Sequence, residues 1–346
     1  MVSKDLAYII AGKQQLSSVT ASPPAHPLPG HVVVEIRYTG ICGSDIEAYQ
    51  LGFDYHPTLA GHEWTGVISA IGEGVEGLAV GDRVARTCQP PCGTCKMCRH
   101  GQYELCLNRS LSTRPTAPAH GGYAKYIPVP AASVTPLPDT VSFEAGAIVE
   151  PATVAVHAVL RATPRLGDTA VVFGGGIVGL TALQLAKRAG ALNVILVDPT
   201  EERRQLGATL GADHTFAPDD PGLVATVEAL TDQRGADIVY ECAGRKAAIE
   251  LGTTLLRPGG QLMLVGTPFT SIELFPAAWL GKQIDVRTSL AHTREEFELT
   301  VELLSRGWIQ TDTLTFEVRG LSEIEAVFAD LQKGAPAVKT LIDPTR

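Results

Sequence analysis

The sequence predicts an α/β protein with two domains, one mostly antiparallel β and one built on a doubly wound parallel sheet. Three observations support this prediction. The chain has 346 residues, which is more than a single hydrophobic core usually serves. Up to about residue 150, short β-like runs lie between Gly- and Pro-rich turns. From about residue 153, strand patterns alternate with helix patterns, as in parallel βαβ units.

The first part of the chain contains short runs of strand-forming residues, such as Val32–Ile36 and Gly66–Gly72, which end in turn residues. Such runs are typical of an antiparallel, partly closed β domain. After about residue 290, the pattern predicts a helix at Arg294–Ser305, a strand, and a final helix at Ser322–Gln332.

The middle part begins with Thr169–Phe173, whose almost continuous apolar character predicts a strand buried on both faces of a parallel sheet. Helical spacing of apolar residues follows, and the alternation then continues. The further expected strands are Asn193–Val197, Asp237–Tyr240 and Gln261–Val265, and the expected helices are Gly179–Ala189, Glu201–Leu210 and Ala247–Leu256.

Composition excludes several classes of protein. Hydrophobic residues make up 45% of the chain and charged residues 19%, which fits neither a disordered protein nor a coiled coil. No apolar run reaches the roughly 18 residues that a membrane span requires, and the N-terminal apolar stretch is too short for a secretory signal. The net charge of −9 disfavours nucleic acid and anionic membranes as partners. We therefore expect a soluble cytoplasmic protein.

Five of the seven cysteines lie between residues 88 and 106. In a long chain without a secretory signal, such crowding indicates a metal site rather than disulfides. The spacing C-x₂-C-x₂-C-x₇-C is typical of a closed structural zinc site, with an iron–sulfur cluster as the alternative. Cys88 and Cys242 are expected to be ordinary thiols. The four predicted ligands are Cys92, Cys95, Cys98 and Cys106.

A G-x-G-x-x-G sequence connects the predicted strand Thr169–Phe173 to the following helix. In that context it is a dinucleotide-binding fingerprint, because the glycines allow a tight turn, close approach of a pyrophosphate and close helix–strand packing. The alternative is a glycine-rich turn in an ordinary α/β domain. The candidate cofactor-binding residues are Gly174, Gly176, Ile177, Val178 and Gly179.

Asp198 lies at the end of the second strand of this unit. A carboxylate there can accept hydrogen bonds from ribose hydroxyls and repels a 2′-phosphate, which favours NAD over NADP. Arg203 is a further cofactor-binding candidate because it can hold a phosphate, although a solvated helix surface is the simpler interpretation for it and for Arg204.

A second group of possible metal ligands is scattered along the chain. It consists of Cys42 in Gly-Ile-Cys-Gly-Ser-Asp, His62 and Glu63 in Gly-His-Glu, and Glu150 in Val-Glu-Pro. Taken singly, each residue has a structural explanation, and composition and periodicity alone do not join them.

The order of these motifs resembles that of the zinc-dependent medium-chain dehydrogenases. The Cys42 motif comes first, followed by the His62 motif, the four cysteines, Glu150-Pro151 and the glycine fingerprint. The resemblance covers essentially the whole chain and is greatest to the polyol (sorbitol-like) and threonine dehydrogenase branch. It implies a GroES-like β catalytic domain of residues 1–152 and 290–346, with a structural-zinc lobe at about 88–107. It also implies an inserted Rossmann domain of residues 153–289 that binds NAD.

The same resemblance implies two zinc ions per chain and a set of ligands for the catalytic one. Cys42 and His62 match the family's ligands. Glu63 and Glu150 are the remaining acidic ligands or near-ligands, and which of the two touches the metal is left open. A mixed sulfur, nitrogen and oxygen shell with an open position suits a catalytic zinc.

The implied reaction is zinc-assisted transfer of a hydride between a secondary alcohol and NAD. Ser44 matches the relay hydroxyl of the family, and Glu63 is a further catalytic candidate beside the metal. Glu47 stands where the family often has a histidine that completes the proton relay. Either Glu47 accepts the proton or the proton leaves through water.

The substrate prediction is a polyol, cyclitol or sugar-like secondary alcohol. The stretch from Thr288 to His292 lacks the Arg-Tyr pair with which sorbitol-like enzymes contact polyol hydroxyls, which argues against a simple linear hexitol. His292 either reaches the substrate pocket or is a loop histidine. The alternatives are an amino-alcohol (threonine-like) dehydrogenase and a non-catalytic NAD-binding relative. The resemblance also implies a homodimer or homotetramer, joined at the edge strand Gln283–Thr288.

Overall fold

The computed structural model describes residues 5–87, 91–108, 120–334 and 337–346. The chain divides into two compact units. Unit 1 falls within residues 1–150, 292–305 and 315–346, and unit 2 within residues 151–291 and 306–314. Both ends of the chain therefore belong to unit 1, and unit 2 is inserted between them. No helix among the described residues is long and apolar enough to span a membrane.

Unit 1 is built on a β-sheet of seven strands, with a separate two-stranded hairpin formed by β1 and β2. The order in the sheet is β14-β15-β3-β4-β5-β7, and β6 also pairs with β3. Only the β14–β15 pair is parallel. The strands are β1 (Leu6–Gly12), β2 (Gln15–Thr20), β3 (His31–Gly40), β4 (Glu63–Ile71), β5 (Arg83–Arg86), β6 (Tyr126–Pro130), β7 (Val134–Pro136), β14 (Phe316–Gly320) and β15 (Lys339–Asp343).

Apolar side chains of unit 1 form two core clusters. One packs Trp64 and Ile68 of β4 against Val34 and Ile36 of β3. The other joins helical residues to Tyr123, which packs edge-on against Phe328 with ring centroids 5.7 Å apart. The helices of this unit are α1 (Gly43–Leu51), α2 (Lys96–Arg99), α3 (Phe143–Ala147), α10 (Arg294–Ser305) and α11 (Ile324–Leu331).

Unit 2 is built on a six-stranded sheet in which every pair of neighbouring strands is parallel. The strand order is β10-β9-β8-β11-β12-β13, so the order reverses between β8 and β11, where doubly wound folds bind dinucleotides. The strands are β8 (Thr169–Phe173), β9 (Asn193–Val197), β10 (His214–Phe216), β11 (Ala236–Glu241), β12 (Leu256–Leu264) and β13 (Asp285–Thr288).

In unit 2 a helix follows each strand from β8 to β12, as parallel connections require, and one more helix precedes β8. Its core joins strand residues such as Val171 and Ile195 to helix residues such as Val227 and Ile249. The helices are α4 (Val149–Ala162), whose first two residues fall in unit 1, α5 (Ile177–Arg188), α6 (Glu201–Thr209), α7 (Gly222–Leu230), α8 (Lys246–Leu255) and α9 (Pro276–Lys282).

The observed division of the chain differs from the sequence-based one at residues 306–314, which belong to unit 2 instead of the β domain. Two side chains of α5 hold this segment. The backbone N–H of Gln310 donates to Oε1 of Gln184 at 2.7 Å. Arg188 donates to the carbonyl of Gly307 and stacks on Trp308, with its guanidinium carbon 5.2 Å from the ring centroid. The other predicted boundaries lie two residues from those of the units.

Candidate functional site

The first candidate metal ligand, Cys42, lies at the N-terminal end of α1, directly after the turn that follows β3. Its carbonyl accepts the backbone N–H groups of Asp45 and Ile46, at 3.1 and 3.3 Å. A cysteine at this position can offer its sulfur to a metal ion as a thiolate ligand. Cys42 is therefore well placed to act as an anionic ligand.

The His62 ring is held by a hydrogen bond from one of its nitrogens. Nδ1 lies 2.9 Å from the carbonyl oxygen of Leu59. Because a carbonyl only accepts, the proton belongs on Nδ1, and Nε2 is left with a lone pair for a metal. Burial lowers the pKa of His62, but the negative charges of Cys42, Asp45 and Glu150 outweigh it and raise the pKa well above its usual value. This pocket attracts a cation.

The carboxylate of Asp45 lies on the Nδ1 side of the His62 ring. It is fully buried, and its Oδ1 lies 3.8 Å from Nδ1 of His62. The hydroxyl of Tyr55 donates to Oδ1 at 2.7 Å, and the hydroxyl of Tyr123 donates to Oδ2 at 2.6 Å. The backbone N–H of Gly61 donates to the same Oδ2. These donors satisfy a carboxylate that would otherwise be costly to bury.

Glu63 is paired with a lysine from the far end of the chain. Glu63 begins β4, opposite Gly40 of β3, and β15 pairs with β3 on its other side. The ammonium of Lys339 forms an ion pair with Oε2 of Glu63 and donates to the carbonyl of Ile41 at 2.8 Å. Gly40 makes room for this pair, since a β-carbon there would lie 2.7 Å from Cε of Lys339. The other Glu63 oxygen has no hydrogen-bond partner among the described residues.

Glu150, near the start of α4, has a histidine as its partner. Its Oε1 lies 3.4 Å from Nε2 of His292. Burial raises the pKa of Glu150, but His292, His62 and Arg86 outweigh it and lower the pKa to about 2. Glu150 is therefore ionised at neutral pH.

Three of the scattered candidates meet in one group. One ligand atom each from Cys42, His62 and Glu63 lie within 4.8 Å of one another. A cysteine sulfur, an imidazole nitrogen and a carboxylate oxygen that has no hydrogen-bond partner among the described residues together fit a zinc ion. Ser44 and Glu47 lie nearby on α1, both partly buried.

The four cysteines of the lobe form a second group, with their Sγ atoms within 4.8 Å of one another. The Sγ atoms of Cys92 and Cys98 are 3.9 Å apart, and those of Cys95 and Cys98 are 3.5 Å apart. Zn–S bonds of about 2.3 Å in a tetrahedron place the sulfurs about 3.8 Å apart, so this group suits one zinc ion better than an iron–sulfur cluster. Cys88 lies outside the described residues.

Hydrogen bonds favour the thiolate form of Cys92, whereas burial raises the pKa of Cys98 to about 12. The hydroxyl and backbone of Thr94, together with the backbone N–H of Cys95, lower the pKa of Cys92 to about 5. The N–H of Cys95 lies 3.3 Å from the Cys92 sulfur, and the side-chain amide of Asn108 lies 3.4 Å from it. Such N–H···S bonds orient the sulfur and stabilise its negative charge, which supports metal binding.

In unit 2 the glycine motif forms the turn between β8 and α5. Gly174 has φ +97°, a conformation that favours glycine. A β-carbon on Gly179 would overlap the carbonyl oxygen of Gly174, whereas one on Gly176 would meet nothing within 4 Å. Gly176 precedes α5, and Ile177 and Val178 form its first turn. The open side of Gly176 leaves room for a pyrophosphate at the N-terminal end of the helix.

Asp198 lies directly after β9 and faces this turn. Its Oδ2 accepts the backbone N–H of Gly175 at 2.6 Å, and its Oδ1 accepts that of Thr200 at 2.8 Å. Arg203 is partly buried beside Gly175, which differs from a freely solvated side chain. Arg204 donates to the carbonyls of Asp198 and Pro199. Arg204 therefore fixes the backbone of the loop that follows β9.

Sequence reasoning missed the partners of the ligands. Asp45 was part of the Cys42 motif without a role, and Tyr55 and Tyr123 carried no signal. Lys339 did carry one, because it is a charged residue at the start of a short apolar strand pattern.

Comparison with known proteins identifies both units. The alcohol dehydrogenase GroES-like domain matches residues 28–139, and the zinc-binding dehydrogenase family matches residues 178–306. The chain is 32% identical to the probable D-xylulose reductase A of Aspergillus clavatus, over 99% of this chain and 98% of the relative.

Two solved structures share the complete fold. Galactitol-1-phosphate dehydrogenase from Escherichia coli has a TM-score of 0.83 and 29% identity, covering 98% of this chain and 100% of the other. A putative zinc-binding dehydrogenase from Sinorhizobium meliloti, bound to NADP, has a TM-score of 0.85 and 28% identity, covering 99% and 100%.

Metal analysis tests both sites. The fully loaded protein should contain about two zinc ions per chain by plasma mass spectrometry. Cys95→Ser should lose one ion and melt at a lower temperature, because a closed thiolate shell stabilises the fold. His62→Ala should lose the other ion and keep its melting temperature.

Because the pKa of His62 is raised, zinc at this site should dissociate as the pH falls, beginning at a higher pH than for an ordinary histidine. One zinc ion in the loaded wild type would remove one of the sites.

Proposed function

Because this chain belongs to the zinc-binding dehydrogenase family, in the polyol branch of the medium-chain enzymes, we propose that it interconverts a secondary alcohol of a polyol or sugar-like substrate and the corresponding ketone, with NAD as the hydride acceptor. The proposal rests on the group formed by Cys42, His62 and Glu63, whose ligand atoms lie within 4.8 Å of one another. When bound, zinc lowers the pKa of an alcohol oxygen and NAD accepts the hydride.

The protein's part in this chemistry is to hold the pocket in one charge state and one geometry. The Leu59 carbonyl fixes the His62 tautomer, and the Asp45 carboxylate lies near the same Nδ1 and stabilises the ring in this orientation. Lys339 balances the charge of Glu63, so this buried carboxylate can lie in the metal pocket without unbalanced negative charge. Removal of either partner is expected to weaken zinc binding, since outer partners typically contribute about 10- to 100-fold.

The proton of the alcohol requires an acceptor. We propose that the Ser44 hydroxyl, in the first turn of α1, relays this proton by accepting it while passing its own proton onward. Glu47 lies three residues further along the same helix, so both side chains fall on one face. Glu47 is therefore the proposed second member of the relay, with release through water as the alternative.

The cofactor preference rests on Asp198. Its carboxylate is almost fully buried beside the glycine turn and is held by two backbone N–H groups. A carboxylate at this place accepts ribose hydroxyls and repels a 2′-phosphate. We therefore assign NAD as the preferred cofactor, although one structural neighbour is bound to NADP.

The substrate class follows from the relatives. The D-xylulose reductase relative suggests a five-carbon ketose and its polyol as the first pair to test. The galactitol-1-phosphate dehydrogenase suggests a polyol phosphate. A threonine-like amino alcohol is the second candidate from the sequence.

Two further features complete the proposal. The four thiolates of the lobe require a reducing compartment, which suits the cytoplasm.

The strand β13 forms an edge of the unit 2 sheet, and Leu280 and Leu290 near it are 78% and 73% exposed. Pairing of two such edges would cover this apolar surface in a homodimer.

An assay of NADH absorbance tests the function. The panel contains a pentitol, a hexitol, a cyclitol, a polyol phosphate and threonine, each with NAD and with NADP, and D-xylulose with NADH in reverse. We expect turnover of at least one secondary alcohol, with a larger kcat/KM for NAD than for NADP. His62→Ala should abolish it. A zinc-loaded wild type that binds NAD but oxidises no member of the panel would favour the non-catalytic alternative.

The relay role of Glu47 has its own test. Glu47→Gln keeps the size of the side chain but cannot accept a proton. We expect kcat for alcohol oxidation to fall by about 10²-fold and its pH dependence to flatten, with zinc content unchanged. Glu325→Gln, an exposed glutamate on α11, is the control. Wild-type kcat and pH profile in Glu47→Gln would establish release through water.

Sedimentation velocity tests the edge pairing. The wild type should sediment as a dimer or tetramer, and Leu290→Glu should shift it to a smaller species by placing a charge beside β13. Leu166→Glu, at a residue 89% exposed in the same unit, should leave the assembly unchanged. A monomeric wild type at assay concentration would contradict the pairing.

A further inference from the structure

The two acidic candidates at the metal pocket differ in where their carboxylates lie. Glu63 shares the group formed by Cys42 and His62, whereas Glu150 does not belong to it. Ligands of one tetrahedral zinc ion lie roughly 3.3 to 3.8 Å apart, given bonds of about 2.0 to 2.3 Å. Glu150 must therefore move before it can bind the same ion.

What holds Glu150 in its place is His292. We propose that His292 is a positioning residue, which keeps the Glu150 carboxylate out of the zinc shell and so leaves one metal position open for the substrate oxygen. The inference rests on the proposed zinc site. It assigns different roles to two carboxylates that the sequence alone could not distinguish.

The His292 ring is fixed on several sides. It is 1% exposed, and it packs against Phe297 of α10 with ring centroids 5.6 Å apart. Nδ1 lies 3.3 Å from the carbonyl of Thr293, and Nε2 lies 3.4 Å from Oε1 of Glu150. The contact with the Thr293 carbonyl is long, and a proton on Nε2 lets the ring donate to the Glu150 carboxylate. A buried ring in this position has little freedom to follow a moving carboxylate.

Charge explains why such a restraint is needed. Arg86 also attracts Glu150, and it donates to the carbonyl of His62 at 3.1 Å. An ionised carboxylate this close to a divalent ion is a competing ligand. Glu63 also has a cationic partner, Lys339, but its carboxylate belongs to the ligand group, whereas the Glu150 carboxylate does not.

The burial of His292 also bears on substrate recognition. A side chain that is 1% exposed and engaged with Glu150 does not present a donor to the hydroxyls of a polyol. His292, the last residue of the stretch from Thr288 to His292, therefore serves the metal pocket and not the substrate. The substrate hydroxyls must be recognised by other residues.

The test compares two variants that differ in one property. His292→Leu and His292→Gln both remove the ring, but glutamine keeps a nitrogen donor at a similar reach. Each is prepared with cobalt in place of zinc, because the visible absorption of Co²⁺ reports its coordination. Cobalt in the four-cysteine lobe contributes equally to all variants and cancels in difference spectra.

We expect His292→Leu to shift the cobalt bands and to lower kcat by about tenfold or more, as loss of an outer partner does. His292→Gln should keep the wild-type spectrum. The double variant His292→Leu/Glu150→Gln should regain the wild-type spectrum, because the competing carboxylate is gone.

Two results would overturn the inference. One is a wild-type cobalt spectrum in folded His292→Leu. The other is a shifted spectrum in Glu150→Gln alone, which would make Glu150 a ligand of the wild type and can be measured even if His292→Leu does not fold. Failure of the proposed function is distinguishable, since it would appear as missing cobalt bands or missing alcohol oxidation in the wild type itself.

Discussion

The candidate catalytic site depends on the compensation of negative charge in one small pocket of unit 1. Asp45 and Glu63 are buried, and Cys42 and Glu150 lie close by. Charges removed from water are costly unless they are paired and hydrogen-bonded. Each carboxylate in this pocket has its own partner: phenol hydroxyls for Asp45, Lys339 for Glu63 and His292 for Glu150. The Cys42 sulfur and Nε2 of His62 lie together in the ligand group and can bind a metal ion.

The anionic groups and their cationic partners come from different segments of the chain. The anionic groups all come from the first 150 residues, whereas Lys339 and His292 come from the two segments that return to unit 1 after unit 2. The pairing of β15 with β3 places Lys339 beside Gly40 and Glu63. The pocket is therefore complete only when both ends of the chain have joined the same unit.

Much of the fold was predictable because regular patterns repeat over several residues. The bounds of β8, β9 and α10 agree with those expected from apolar runs and helical spacing. β10 and α7 were not predicted, and β10 has only three residues, too few to show a period. The placement of residues 306–314 also escaped prediction, because it depends on Gln184 and Arg188, far away in the sequence.

The site shows the same limit. The order of the cysteine, histidine and glycine motifs was sufficient to indicate a zinc-dependent dehydrogenase. The choice between Glu63 and Glu150 depends on contacts with residues some 140 to 280 positions away, which no local pattern encodes.

The most direct test of the central claim is anomalous X-ray scattering at the zinc absorption edge, measured on crystals of the zinc-loaded protein. The account predicts two anomalous peaks per chain, one among the four cysteine sulfurs and one bonded to Sγ of Cys42 and Nε2 of His62. A protein that oxidises its alcohol with NAD but shows no peak between Cys42 and His62 would contradict it.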